Sequence, residues 1–301
     1  MRIVLKLAVA LSLASIGLPA AAALNVFACE AEWGALAQEL GGDKVSVYSA
    51  TTALQDAHRI EARPSLIARI RSADLLICSG SELEIGWLPL LLTQSGNSKI
   101  QLGASGYLEA SQYVAKLEVP KVIDRALGDI HPGGNPHVHT DPRNIAKVAT
   151  ALEDRLAKLD PANAETYHSR GKSFLARWQA AIARWEKEAA PLRGVPIVVY
   201  HKDFSYFINW TGMREVAALE PKPGIPPTPS HLAELIDQMK SSPAKVIIYS
   251  PYNSPQAAQF LSSRAGIPAV MMPFTVGGTN EAKDLFGLFD DTIRRLLGVL
   301  K

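Results

Sequence analysis

Short apolar runs alternate with helical stretches along this chain, and that alternation restricts its fold more than any other feature. NVFACE (25–30), VSVYSA (45–50) and DLLICSG (74–80) are short runs rich in apolar residues, and KIQLGAS (99–105) reads as a further short strand. Between them lie EWGALAQELGG (32–42), a helical stretch closed by glycine, then PSLIARIRSA (64–73), and a helix over part of 81–95. Nearly continuous apolar strands are buried on both faces. Strands separated by helices need crossover connections, so the sheet they form is parallel with helices on both faces. The alternation resumes after residue 195 with PIVVYH (196–201), then SPAKVIIYS (242–250) behind a helix starting near PSHLAELIDQMK. IPAVMMPF (267–274) follows, and an amphipathic helix, DLFGLFDDTIRRLLGVLK (284–301), closes the chain.

The middle of the chain differs. DPRNIAKVATALEDRLAKLDP has apolar residues at helical spacing, and the polar stretch after it holds scattered large apolar residues with Gly171 as its one weak point. Residues 161–189 are expected to form one long helix, stabilised by propensity more than by a single buried stripe. A helix of that length between two α/β halves is a strut, whereas a Gly/Ser linker would be a free hinge. The expected fold class is therefore α/β in two lobes, each a mostly parallel sheet with flanking helices. The lobes are residues 24–160 and 191–301, joined by the helix at 161–190.

At the start, Arg2 and Lys6 accompany an apolar run that ends in AAA at 21–23, the pattern of a secretory signal peptide cleaved after Ala23. The run is too short to span a membrane comfortably. The chain has a formal net charge of +2, and residues 1–23 hold Arg2, Lys6 and no acid, so the remainder is neutral. A neutral chain gives no electrostatic reason to expect nucleic acid or an anionic membrane as partner. Cys29 and Cys78 both end apolar runs. In an exported, oxidising setting they are either a disulfide between neighbouring strands or two buried thiols, and their spacing does not decide which.

Ligands of parallel sheets bind beyond the carboxyl ends of the strands. His58 lies in the loop after VSVYSA, and His201 immediately follows PIVVY. His137 lies in HPGGNPHVHTDP (131–142), a loop by its proline and glycine content, and Asp284 follows the loop after VMMPF. Four candidate metal ligands thus come from four places, two in each lobe, around a cleft. Three imidazoles and a carboxylate suit tetrahedral Zn²⁺, with Mn²⁺ as the competitor that prefers more oxygen. Four protein ligands leave no open position for a reacting water, which favours carrying the ion over hydrolysis with it.

On ALQDAHRIEARPS, GNPHVHTDP, VVYHKDFSYF, LEPKPGIPPTPSHLAEL and GGTNEAKDLF, taken in that order, the chain resembles the metal-binding subunits of bacterial ABC importers, the zinc/manganese cluster of periplasmic solute-binding proteins. The resemblance implies a periplasmic carrier that acts as a monomer, binds zinc (or manganese) through His58, His137, His201 and Asp284, and docks transiently on a membrane permease. Two departures stand out. The histidine loop is compact where zinc-specific members often have a long His- and acid-rich one. The first motif also reads DAH where many relatives have proline before the histidine.

The other histidines are expected to be bystanders. His131 and His139 share the loop with His137, and their alternative role is first contact with an arriving ion. His168 is expected to be solvated on the long helix, and His231 to pack at a helix start. Glu281 is the runner-up to Asp284, and Asp56 and Asp203 are expected to orient imidazoles. Besides a manganese-specific carrier, the rival functions are a surface adhesin with a structural metal and a zinc hydrolase with Glu281 as base.

Overall fold

The computed structural model describes residues 22–124, 126 and 128–300. The expected signal peptide at 1–23 lies almost wholly outside the described residues. Among these, no helix is long and apolar enough to cross a membrane.

Two four-stranded parallel sheets form the frame. The first has the order β2-β1-β3-β4, built from β1 (Leu24–Ala28), β2 (Val45–Ser49), β3 (Leu75–Cys78) and β4 (Tyr107–Glu109). The second repeats that arrangement as β6-β5-β7-β8, from β5 (Pro196–Val199), β6 (Arg214–Ala218), β7 (Val246–Tyr249) and β8 (Ala269–Met271). The central strands β1 and β3, and β5 and β7, are almost wholly apolar and buried, as strands covered on both faces must be. In each sheet the order reverses beside the first strand, so each lobe opens its crevice at the carboxyl end of that strand.

Three helices flank the first sheet: α1 (Ala31–Gly41), α2 (Pro64–Arg71) and α3 (Leu88–Ser95). Helix α4 (Pro142–Leu159) opens on Asp141, whose side chain accepts the Arg143 amide, and on Pro142 at its first turn. The long helix α5 (Ala164–Glu188) joins the lobes. The second lobe adds α6 (Ser205–Thr211), α7 (Pro229–Ser241), α8 (Pro255–Ala265) and α9 (Leu285–Val299).

Three sequence expectations are corrected here. Residues 99–105 are not a strand: Ser98–Ile100 is a single 3-10 turn, and the edge strand begins at Tyr107, where the chain meets β3. Helix α5 is not held by propensity alone. Tyr167, Gly171, Phe174, Trp178, Ala181, Ile182 and Trp185 form one buried stripe at three- and four-residue steps. Trp178 stacks on Phe174 and meets Phe286 and Phe289 of α9 edge-on, with ring centroids 4.8 and 5.7 Å away. Finally, Gly171 does not break α5: the helix runs unbroken through it, and Gly171 is buried facing the Glu153 side chain of α4.

One hydrophobic core runs from β1 and α1 through α4 and α5 to β5, β7 and α9, so the lobes share packed side chains behind the cleft. Two smaller cores cover the outer face of each sheet. The lobes are thus joined by apolar burial as well as by α5, which restrains their relative motion.

Candidate metal centre

Each of the three sequence-selected histidines is fixed by its own local device. His58 sits in the loop between β2 and α2, which is pinned where the Trp87 indole N–H donates to the Ala57 carbonyl at 2.9 Å. Asp56 Oδ1 accepts the His58 amide at 3.0 Å and lies 2.7 Å from His58 Nδ1. His201 follows β5 directly, and its Nδ1 lies 2.7 Å from Glu220 Oε2, which also accepts the Gly224 amide at 2.9 Å. A carboxylate only accepts, so in both rings the proton sits on Nδ1 and Nε2 is turned toward the cleft.

His137 is oriented through its backbone. Its amide donates to Asn135 Oδ1 at 2.9 Å, while Asn135 Nδ2 donates to the Lys202 carbonyl at 2.8 Å. One asparagine therefore ties the main chain of His137 to the residue after His201, across the two lobes.

The three side chains converge. A ligand nitrogen from each of His58, His137 and His201 lies within 4.8 Å of the other two. Ring centroids are 5.3 Å apart for His58 and His137, 5.5 Å for His58 and His201, and 5.7 Å for His137 and His201. His137 is 2% exposed, and neither of its ring nitrogens has a hydrogen-bond partner among the described residues. Buried polar atoms are nearly always paired, so two unpaired nitrogens facing two other imidazoles call for a ligand.

The electrostatics separate the rings. Burial, followed by the His58 and His201 imidazoles, holds His137 well below the usual histidine range. Burial works against charge on His201 as well, but the Glu220 hydrogen bond and the carboxylates of Asp203, Glu220 and Asp56 outweigh it and raise the ring to about 9. Burial of Asp56 opposes its ionisation, yet the bond to His58 keeps it below the ordinary carboxylate range. The pocket thus combines a neutral imidazole with one that gives up a proton to bind a cation.

Asp284, the expected fourth ligand, stands outside this group in the structure. Its exposed side chain accepts the Gly287 amide at 2.7 Å and caps the N-terminus of α9. An N-cap acceptor also suits the positive end of the helix dipole, and this role holds the carboxylate at the helix start. Glu281 does not join the group either, and lies 3.5 Å from Arg295. Beside the group, His131 Nε2 lies 3.1 Å from His58 Nε2. Burial, then the His58 ring, lowers His131 to about 4.

His139 turns away from the three rings. Its Nε2 lies 3.0 Å from the Phe274 carbonyl, and its Nδ1 lies 3.0 Å from Glu32 Oε1. His168 is exposed and paired with Glu153, and His231 Nε2 meets the Ala218 carbonyl at 3.0 Å near the start of α7. Asp56 orients an imidazole as expected. Asp203 does not: it is buried and accepts from the Ser250 and Tyr252 hydroxyls. Glu220 was missed by sequence reasoning because β6, whose end it follows, was missed. Cys29 and Cys78 form a disulfide across β1 and β3, which settles the open choice between bridge and thiols and removes both sulfurs as metal ligands beside Glu84.

Comparison with known proteins bears on the family and the fold. The family described as zinc-uptake complex component A, periplasmic, matches residues 26–298. The zinc-binding lipoprotein AdcA of Streptococcus pneumoniae is 23% identical over 231 residues, covering 76% of this chain and 46% of its own length. The high-affinity zinc uptake system protein ZnuA of Yersinia pestis is 26% identical over 215 residues, 66% of each chain. The chain therefore spans about half to two thirds of the length of these relatives. A crystal structure of ZnuA superposes with a TM-score of 0.78 at 20% identity, over 93% of this chain and all of that one. A Mn-bound periplasmic metal binding protein from Candidatus Liberibacter asiaticus gives 0.74 at 19% identity, over 92% of this chain and all of that one. At these identities the structures bear on the fold, and the two-lobe architecture is theirs.

Proposed function

The chain belongs to the periplasmic zinc-uptake component A family, and from that premise we propose that it captures a divalent transition metal, zinc, outside the cytoplasm and delivers it to a membrane ABC permease. The observation that carries this reading is the buried His137 ring, unpartnered at both nitrogens and facing His58 and His201. Imidazole nitrogens suit zinc, whereas a manganese site would carry more oxygen ligands. The two nearest carboxylates, Asp56 and Glu220, are engaged in orienting His58 and His201, which supports the same choice.

In this reading His58, His137 and His201 hold the ion between lobes 24–160 and 191–301, and the helical segment 161–190 limits their movement. The chain acts as a monomer that enters the periplasm through a cleaved signal peptide, carries the ion without doing chemistry on it, and needs no nucleic acid. Recognition by the permease is transient and follows loading.

Titration of chelator-stripped protein with Zn²⁺ and then Mn²⁺, with metal content checked by elemental analysis, tests the proposal. One tight zinc equivalent that excess manganese does not displace is the expected result. Equal or tighter manganese binding would move the cargo to manganese, and tight binding of neither would end the reading.

A further inference from the structure

We propose that Glu30 and Glu84 bind one proton between them inside the first lobe at neutral pH, and that this shared proton locks a strained turn on which two of the cleft loops rest. The proposal does not depend on the ion site.

Glu30 follows β1 and Glu84 lies beyond the end of β3. The two carboxyls are each 3% exposed and face each other. Glu30 Oε2 accepts the Ser79 amide at 3.1 Å and the Ser79 hydroxyl at 3.2 Å, while Glu30 Oε1 is buried with no donor among the described residues. Both oxygens of Glu84 share the Gly80 amide, each at 3.2 Å. Among the described residues no Lys, Arg or His forms an ion pair with either carboxyl. Two buried carboxyls side by side without a cation do not both ionise, and the least costly neutralisation is one proton held between them. A proton on Glu30 would turn its orphaned acceptor into a donor toward Glu84. Burial, then the charges of Glu84 and Glu32, holds Glu30 well above the ordinary carboxyl range, and burial raises Glu84 to about 7.

The surroundings supply no other counter-charge. Glu32 faces the pair from α1 and is engaged by His139, 3.0 Å away. From β4 come Tyr107 and Glu109, joined to each other at 2.7 Å, and Glu82 on the turn itself is exposed. The Cys29–Cys78 disulfide beside Glu84 does not titrate.

Gly80, Ser81 and Glu82 have φ of 76°, 51° and 67°, three successive left-handed residues of which two carry side chains. Such backbone persists only where its surroundings hold it. Glu30 grips the Ser79 amide and Glu84 the Gly80 amide, so the pair holds the entry to this turn. Beyond it, Ser81 Oγ reaches the Gly133 carbonyl at 3.5 Å in the loop of His137, and the Trp87 indole pins the loop of His58. Loss of the shared proton would set two negative charges against each other and draw Glu84 away from the Gly80 amide. Because both groups sit above their unfolded values, the stability they contribute is fully present below the ordinary carboxyl value of about 4.3 and is lost as pH rises through about 7.

The test uses the metal-free full chain and its Glu30→Gln and Glu84→Gln variants. A glutamine amide at either position donates where the proton did, so both variants are expected to fold. Infrared spectra of the parent at neutral pH should show the carbonyl stretch of a neutral carboxylic acid, which ordinary carboxyls lack there, and each variant should lose it. In urea unfolding from roughly pH 5 to 7, the folding constant of the parent should fall about tenfold per pH unit relative to that of Glu30→Gln. Amide hydrogen exchange at Gly80 should lose protection above neutral pH in the parent and keep it in Glu30→Gln. A parent without the neutral-acid band would overturn the proposal whether or not the variants fold. So would a band that either variant keeps, or parallel pH profiles of the parent and Glu30→Gln. Equal protection of Gly80 in the two at every pH would overturn the lock on the turn.

Discussion

Glu220 grips His201 while being gripped itself: its Oε2 lies 2.7 Å from His201 Nδ1 and accepts the Gly224 amide at 2.9 Å. The consequence is chemical. With its ring raised to about 9, His201 is protonated in the metal-free protein at neutral pH, and a cation must displace that proton. Zinc binding near pH 7 should therefore release about one proton, and its affinity should climb about tenfold per pH unit until it levels near 9. For the metal-free fold the sign is opposite, because a raised pKa contributes stability that is present below the unfolded value and lost as pH rises through about 9. Calorimetry in buffers of different ionisation enthalpy counts the protons. Glu220→Gln should lower the count and shift the levelling to lower pH; an unchanged count would show that Glu220 does not set the proton affinity of His201.

The three histidines should differ sharply from the rest in an alanine series. Removing an outer-shell partner of a metal ligand typically costs 10–100-fold in affinity, so removing a ligand should cost at least roughly that. His58→Ala, His137→Ala and His201→Ala are each expected to lose zinc affinity to that degree or more in competition with a chromogenic chelator. His168→Ala should bind as the parent does, because His168 is exposed and paired with Glu153. Equal losses in all four variants would point to global destabilisation in place of ligation.

Asp284→Ala separates capping from ligation. The carboxylate caps α9 through the Gly287 amide, so its loss should cost about 0.5–2 kcal/mol of stability, as N-cap truncations do. Zinc stoichiometry and affinity should stay at the parent value. Denaturant unfolding of the metal-free variant measures the first and chelator competition the second. A large loss of affinity with unaltered stability would restore Asp284 as a ligand.

Which features were legible in the sequence follows from which signals are local. The strands β1, β3, β5 and β7 announce themselves as apolar runs, and a parallel sheet follows from the helices between them. The position of His58 and His201 after strand ends is equally local, and the rule that ligands gather there carried both to the cleft. The capping bond of Asp284 was legible as well: an acid immediately before an amphipathic helix is an N-cap pattern. Strand β6 (REVAA) is short and only partly buried, so it lacks the apolar run that marks its neighbours, and Glu220 was lost with it. The stripe of α5 was hidden because Tyr167, Phe174, Trp178 and Trp185 are separated by polar residues, and their partners on α9 lie about a hundred residues away. The contact of His131 with His58 was not legible from spacing, since it spans 73 residues.

Glu32 links the lobes without touching the three-histidine group, and this can be read from stability alone. Its two oxygens face His139 Nδ1 in the first lobe and the Thr275 hydroxyl in the second, while His139 Nε2 meets the Phe274 carbonyl. Glu32 and His139 are each 1% exposed. Truncation by Glu32→Ala strips the buried Thr275 hydroxyl of its acceptor, and a buried group so orphaned costs roughly 1–3 kcal/mol. Metal-free Glu32→Ala is therefore expected to unfold at markedly lower urea, with Glu32→Gln intermediate because it keeps the shape and one acceptor. A ligand stabilises a fold according to its affinity for the native state, independently of the starting stability. If Glu32 only fastens the lobes in their existing arrangement, saturating zinc should add the same increment to the parent and to Glu32→Ala. A smaller increment in the variant would mean that the Glu32–His139–Thr275 link also holds His137 in its binding position, and unaltered metal-free stability would show that the link contributes nothing to the fold.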